Sequence, residues 1–323
     1  VLSSVEELKS YDDYQGQWRN WVMYGLPSPV TFDIDADMKN ATVYALFASS
    51  PSLILPDKSY YTPEKQQEHD QLLKLWTDMV TTLMDKLGYD KDNAAQIIQH
   101  AKDFDALLAP NVKSAEEAAD YSKMYNPQTV AELAGATDQL DLASVIKRLV
   151  GTIPEKVIVT EPDYFKALDG ILKDHFELFK DWATVNIIRD YASYLDDEMR
   201  EINGRYGRAL SGSKKPVSQR KFAYYLARDV FSQVAGDYYG KKYFGPEAKA
   251  DVHHMVERMV AVYKKRLAKN DWLSKATREK AILKLDKLGI QVGYPDKIPA
   301  VYDQLKVDEG ESLIANLNQI NYV

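Results

Sequence analysis

The sequence contains no cysteine, which excludes disulfides within the chain and any thiolate metal site. Histidine is scarce, with five in 323 residues. None of them stands in the order H-E-x-x-H, which places two imidazoles and a general base on one helical face. G-x-S-x-G, the P-loop and G-x-G-x-x-G are also missing. No apolar run approaches the ~20 residues of a membrane-spanning helix. Val1-Leu2-Ser3-Ser4 has neither the charged start nor the apolar core of a signal peptide. There is no excess of positive charge: 41 Lys and Arg face 48 Asp and Glu, a net of -7. Nothing in that balance points to nucleic acid or an anionic membrane as a partner.

What is present describes a soluble globular protein, 45% hydrophobic and 28% charged, long enough for one large domain or two. The patterning is mainly α. Residues 1–25 read as helix until Gly25-Leu26-Pro27-Ser28-Pro29 breaks it. The one strand-like region is a β-hairpin over residues 30–49. Val30, Phe32 and Ile34 alternate with Thr31, Asp33 and Asp35, Met38-Lys39-Asn40 forms the turn, and Thr42 to Phe47 returns. Ser52 to Tyr61 is an extended loop. Thr62-Pro63-Glu64 then starts a helix with the apolar stripe Leu72, Trp76, Met79, Val80, Leu83 and Leu87, ended by Gly88.

A second stripe, Ile97 to Leu108, ends at Pro110, and Ser114 and Glu117 have capping-box spacing. Asn126-Pro127 reads as a break. Val157-Ile158-Val159 is a short β-branched run before a capped helix, and Phe176 to Leu195 is a long helix with a wide aromatic face. Asn203 to Pro216, with three glycines, two serines and four basic side chains, is the best linker or loop candidate. Phe222 to Tyr239 is helical. Val252 to Leu267 gives the cleanest amphipathic helix, and Ser274 caps another from Lys275 through the face Ile282, Leu285 and Leu288.

Few side chains suggest chemistry. His69, His100 and His175 are isolated within helical patterns and read as structural. His253 and His254 are adjacent and diverge by about 100° on a helix. With Glu257 they approach an inverted zinc motif, but Arg258 occupies the place of the further histidine. Asp33, Asp35 and Asp37 would share a strand face. A hard cation needs a turn glycine and a terminal bidentate Glu that are missing here, so a solvated face is the expectation. The basic stretch Arg205 to Lys215 reads as a mobile solvated loop. The 22 tyrosines suit both peptide contact and the filling of helical cores.

Several words carry a resemblance. Trp272-Leu273-Ser274, Thr277, Lys280-Ala281, Lys284-Leu285 and then Gly293-Tyr294-Pro295-Asp296 follow an order that resembles the M13 family of zinc metallopeptidases. That family includes neprilysin, endothelin-converting enzyme and the bacterial oligopeptidase O type, to which this chain is nearest in wording. Leu53, Leu55, Pro56, Tyr60 and Tyr61 match the family's G-L-x-L-P-x-R-x-Y-Y, with Ser52 for the Gly and Lys58 for the Arg. Because the two cations differ in fork geometry, a bidentate contact is not expected at Lys58. Ala115 to Leu133, the strand before Pro162, Trp182, and Gly236 to Phe244 match further segments.

The resemblance implies a parent zinc metalloendopeptidase acting on oligopeptides, with its zinc and its N-A-F-Y word in a C-terminal catalytic domain of the same polypeptide. It implies that residues 1–245 form a helical domain capping the substrate chamber, and that 246–323 lead toward the catalytic domain. Asn316-Leu317-Asn318-Gln319 is not N-A-F-Y, so the chain is expected to stop before the machinery, as an excised piece lacking an initiating methionine. No catalytic, metal or substrate-binding residue is assigned within it, and the piece itself is expected to be inactive and free of cofactor. The alternative is a stand-alone helical peptide-binding module. A cysteine-free chain fits a bacterial cytoplasmic protein, with cell-surface or secreted location as the alternative.

Overall fold

The computed structural model describes residues 2–323. The chain packs as two compact units, Val1–Pro216 with Lys306–Val323, and Val217–Leu305. Helices dominate, and a four-stranded sheet contains the hairpin predicted over 30–49.

The first unit begins with α1 (Leu2–Glu6) and α2 (Tyr11–Met23). The single helix read over residues 1–25 is two, because Ser10 starts a fresh helix by accepting the Asp13 N–H at 3.2 Å. The hairpin strands are β1 (Thr31–Asp37) and β2 (Asn40–Ser49), and the sheet is completed by β3 (Asn126–Gln128) and β4 (Val157–Val159) in the order β1-β2-β4-β3. β4 runs parallel to β2 with Val157 opposite Leu46, and β3 is antiparallel to β4. The expected break at Asn126-Pro127 is thus an edge strand, where proline's missing N–H leaves no ladder bond unmade. Period-two alternation decides the faces. Leu46, Ala48, Val157 and Val159 enter the main core, while Ala45, Phe47 and Ile158 join Tyr125 on the other side. Beyond that base the hairpin runs out from the core, and Ile34, Val43 and Tyr44 are exposed.

Helices α3 (Gln66–Lys86) and α4 (Lys91–Leu108) follow as their stripes predict, separated by Gly88 at φ +85° and the cap Asp90. Short helices α5 (Ala115–Ala118) and α6 (Val130–Ala134) each start with a capping box. Then come α7 (Leu142–Val150), α8 (Pro162–Leu172), α9 (Phe176–Ala192) and α10 (Asp197–Ser211). Helix α9 packs along α4 and is buried on several sides, from Phe179 through Trp182, Val185 and Ile188. Tyr14 meets Trp21 and Phe179 edge-on at 4.9 and 4.8 Å, and Phe104 meets Trp182 at 5.3 Å.

The loop expected over Asn203 to Pro216 is a correction. Residues up to Ser211 are helical, because Asn203 donates to Arg189 O at 2.7 Å and Tyr206 is buried beneath the turn it occupies. These anchors outweigh the low helix propensity of Gly204 and Gly207.

The second unit holds α11 (Gln219–Val230), α12 (Ser232–Tyr239), a π-turn over Gly240–Phe244, α13 (Gly245–Ala268) and α14 (Lys275–Asp286). The helix read over 222–239 breaks at Phe231. Ser274 caps α14 as expected, accepting the Thr277 N–H at 3.2 Å. Gly240 is the only buried residue of 217–305. The amphipathic stripe of α13, which predicts a core-facing helix, leaves Met255, Met259, Val262 and Tyr263 exposed, and Leu288 lies past the end of α14 with half its surface free. Last comes α15 (Leu313–Tyr322), which belongs to the first unit.

Candidate functional site

Two stretches singled out by the sequence become well-defined local structures. The first is the loop Ser50 to Tyr61. Its backbone would leave unpaired donors inside the first unit, so side chains from distant elements satisfy it. Asp105 on α4 accepts the Ile54 N–H at 2.8 Å and the Tyr61 hydroxyl, and Tyr61 Oη accepts the Leu55 N–H at 3.2 Å. Tyr206 on α10 donates to Ile54 O at 3.0 Å. Glu161 takes the N–H and hydroxyl of Ser50 on one oxygen and the Lys113 N–H at 2.7 Å on the other. Asp57 caps the turn at Ser59 and reaches the Ala115 N–H at 2.7 Å.

Electrostatics follow from that geometry. Burial pushes the Asp105 carboxyl up to about 6, against the pull of its Tyr61 and Ile54 hydrogen bonds and the Arg189 charge. Burial also raises the Tyr206 phenol to about 12. Lys58 makes a single contact, Nζ to Glu117 Oε2 at 2.7 Å, as expected of an ammonium rather than a fork. That contact pulls Glu117 down to about 2, helped by the Ser114 N–H of the capping box.

The second stretch lies in 217–305, where two sequence words close on each other. A Cβ on Gly240 would come within 2.5 Å of the Tyr294 ring, and one on Gly293, whose φ is +72°, within 2.7 Å of Phe244. Each ring therefore occupies the space that the other word's glycine leaves. Lys249 fastens the pair, with Nζ 2.9 Å from Tyr294 O, 2.6 Å from Asp296 Oδ1 and 4.4 Å from the centre of the Tyr294 ring. Beside them runs a cleft of about 650 Å³ lined by His253 and residues 290–297.

The other candidates separate. Asp33 and Asp35 each accept the N–H of the next residue and stay exposed. Asp37 does not share their face. A register shift at Ala36/Asp37 turns it inward, where it takes the Lys39 and Asn40 N–H groups and pairs with Lys156. The predicted three-carboxylate face is therefore corrected to two exposed residues and one buried carboxylate paired with the partly exposed Lys156. The Lys156 hydrogen bond, seconded by the turn amides, pulls Asp37 down to about 2. Sequence periodicity could not reveal this, because the bulge changes the phase.

His100 pairs with Asp181 at 2.6 Å across α4 and α9, and His175 Nδ1 lies 3.0 Å from Ile171 O. His69 stands beside Asp70 at 3.0 Å and edge-on to Tyr61. His253 and His254 both reach only Glu257, each at 3.6 Å. Among the described residues no three His, Asp or Glu side chains gather as metal ligands.

Residues 1–295 match the N-terminal profile of peptidase family M13. The neutral endopeptidase of Lactococcus lactis strain IL1403 is 40% identical over 311 residues, 96% of this chain and 49% of that protein. The neutral endopeptidase of Lactobacillus helveticus is 36% identical over 320 residues, 99% of this chain and 49% of that protein. The structure of PepO from Lactobacillus rhamnosis HN001 superposes with a TM-score of 0.90 at 30% identity, covering 99% of this chain and 52% of that one. The inhibitor-bound Mycobacterium tuberculosis zinc metalloprotease Zmp1, at 23% identity and TM-score 0.86, shares the fold over 99% of this chain and 49% of its own. The chain spans about half the length of the curated relatives it matches. It belongs to peptidase family M13, of which it carries the N-terminal region.

Proposed function

We propose that this chain is the substrate-chamber capping region of a zinc metalloendopeptidase that hydrolyses oligopeptides. Residues 1–245 form the cap and 246–323 lead toward a C-terminal catalytic domain of the same polypeptide, which packs on 217–305. The observation that carries this reading is the state of 217–305, where four helices, among them α13 with its apolar stripe, bury no side chain. Exposed apolar faces of that extent mark an interaction surface. The half-length coverage of the bacterial endopeptidases supports a missing portion of matching size.

Zinc enters through relatives. A Streptococcus gordonii protein, 33% identical over 323 residues and covered to 57% of its length, bears the name of a zinc metalloproteinase. The residues of this chain do not fit such a metal, since His253 and His254 share one carboxylate and gather no third ligand among the described residues. Zinc, if held by the other half, supplies an activated water there, and no step is assigned to residues here. The role of this region is to restrict entry to short peptides and to keep bulk water from the reaction. No helix among the described residues is long and apolar enough to cross a membrane, and the cysteine-free sequence fits a bacterial cytoplasm.

The test compares this chain with the product of its uninterrupted gene by zinc stoichiometry and cleavage of a quenched fluorescent oligopeptide. Zinc and chelator-sensitive activity confined to a longer product are expected. Chelator-sensitive cleavage by this chain alone would overturn the reading. An uninterrupted gene that ends with this chain would favour the stand-alone module.

A further inference from the structure

Strand β1 is one edge of the four-stranded sheet. An edge strand offers its outward backbone groups to any second strand. The register identifies those groups. Ala48 O accepts the Thr160 N–H at 3.0 Å, so Ala48 turns its backbone groups toward β4. Successive residues of a strand turn theirs to opposite sides. Phe47 and Ala45 therefore face β1, where they stand opposite Asp33 and Asp35. Phe32, Ile34 and Ala36 accordingly aim their N–H and C=O groups away from the sheet.

Two of those three amides are taken by the strand itself. Asp33 Oδ1 accepts the Ile34 N–H at 2.8 Å, and Asp35 Oδ1 accepts the Ala36 N–H at 2.7 Å. Both aspartates are exposed, so neither bond rescues a buried donor; water would have served. Without them the strand is a good template for pairing. Phe32 and Ile34 favour extended backbone, Ile34 is 59% exposed, and no proline interrupts residues 30–49.

The placing of the aspartates matters as much as their bonds. A second copy would meet this edge antiparallel, about a two-fold axis. Centred on Ile34, the pairing would set the two Ile34 residues opposite each other and exchange their N–H···O bonds. Asp33 of each copy would then lie opposite Asp35 of the other, with all four carboxylates on one face. Like charges directly opposite across a strand pair are destabilising.

We infer that Asp33 and Asp35 close the β1 edge, holding its outward amides and repelling a second copy of this chain, and that without them two chains join edge to edge through Phe32 to Ala36. The inference stands apart from the capping role and from any catalysis.

The experiment is sedimentation equilibrium of the whole 323-residue chain, of Asp33→Ala/Asp35→Ala, and of Asp33→Ala/Ile34→Pro/Asp35→Ala. The Ile34 N–H points outward, so proline there leaves the β1–β2 ladder whole and removes the central donor of the new interface. The apolar faces of 217–305 are the same in all three proteins. The double variant is expected to self-associate about tenfold more tightly than the parent, and the added proline to return it to the parental level. Hydrogen exchange at the Ile34 amide of the double variant should slow as protein concentration rises, a readout that holds even where the proline variant fails to fold. Parental association in the double variant, association that survives Ile34→Pro in a folded protein, or Ile34 exchange independent of concentration would each overturn the inference.

Discussion

The Tyr294 ring fills the space above Gly240 so fully that even a methyl group there would approach it to 2.5 Å. Gly240→Ala should destabilise the region by about 1–3 kcal/mol through overpacking. Gly293→Ala should cost more, since it adds a left-handed backbone penalty to the clash with Phe244. Gly289→Ala, with nothing within 4 Å, is the control. Thermal melts of the three variants check the ranking, and equal melting for all three would refute the interlock.

Asp105 gives a pH signature. Its folded-state value of about 6 lies above the ordinary 3.8, so the native state holds a proton that the unfolded chain releases. Stability from this residue is therefore greatest below pH 4 and falls as pH rises through 6, by on the order of 3 kcal/mol. Asp105→Asn should remove that fall. The stability difference between variant and parent, measured by urea unfolding from pH 4 to pH 7, should move in the variant's favour as pH rises. A pH-independent difference would count against it.

Asp37 works in the opposite sense. Lys156 holds its value near 2, so the stabilisation is complete above the ordinary 3.8 and is lost as pH falls toward 2. Lys156→Ala should lower the melting temperature slightly at neutral pH, since Lys156 is partly exposed, and should flatten the acid limb of the stability curve. Asp37→Asn should flatten the same limb, and a limb unchanged in both variants would exclude the pair as its source.

At Lys58, the exchange Lys58→Arg should change stability by no more than about 1 kcal/mol, because both partners of the Lys58–Glu117 pair are partly exposed. A larger loss in a denaturant melt would mean that Lys58 contributes through packing of its stem.

The stripe on α13 separates stability from association. Met255→Lys with Met259→Lys should leave the melting of this chain within about 0.5 kcal/mol, since both side chains are exposed. In a longer product the same pair should weaken docking of the C-terminal half, as limited proteolysis would reveal.

Much of this fold was legible in the residues. Alternation of Val30, Phe32 and Thr31 marked the hairpin, and the stripes of α3 and α4, with the caps Ser114 and Ser274, lie where propensity and capping place them. What escaped depended on distant partners. Nothing local tells that Asn126-Pro127 would pair with Val159 and Ile158, or that Tyr206 and Asn203 would hold a glycine-rich segment helical. The α13 stripe was legible as apolar but not as uncovered, because a sequence pattern records the wish for a partner and not its presence. Of the candidate sites, the Lys58 contact followed from side-chain chemistry. The Asp105 clamp needed three dimensions.

The parallel pairing of β2 with β4 also sets an order in time. Ser49 and Thr160, whose hydroxyls meet at 2.7 Å where those strands end, are 111 residues apart. The hairpin can zip as soon as it is made, but its inner strand waits for a neighbour that the ribosome delivers only after α3 to α7 have emerged. Closing so long a loop is slow. Until it closes, the inner edge of β2 stands open, and that interval is when a nascent chain of this kind is most in need of a chaperone.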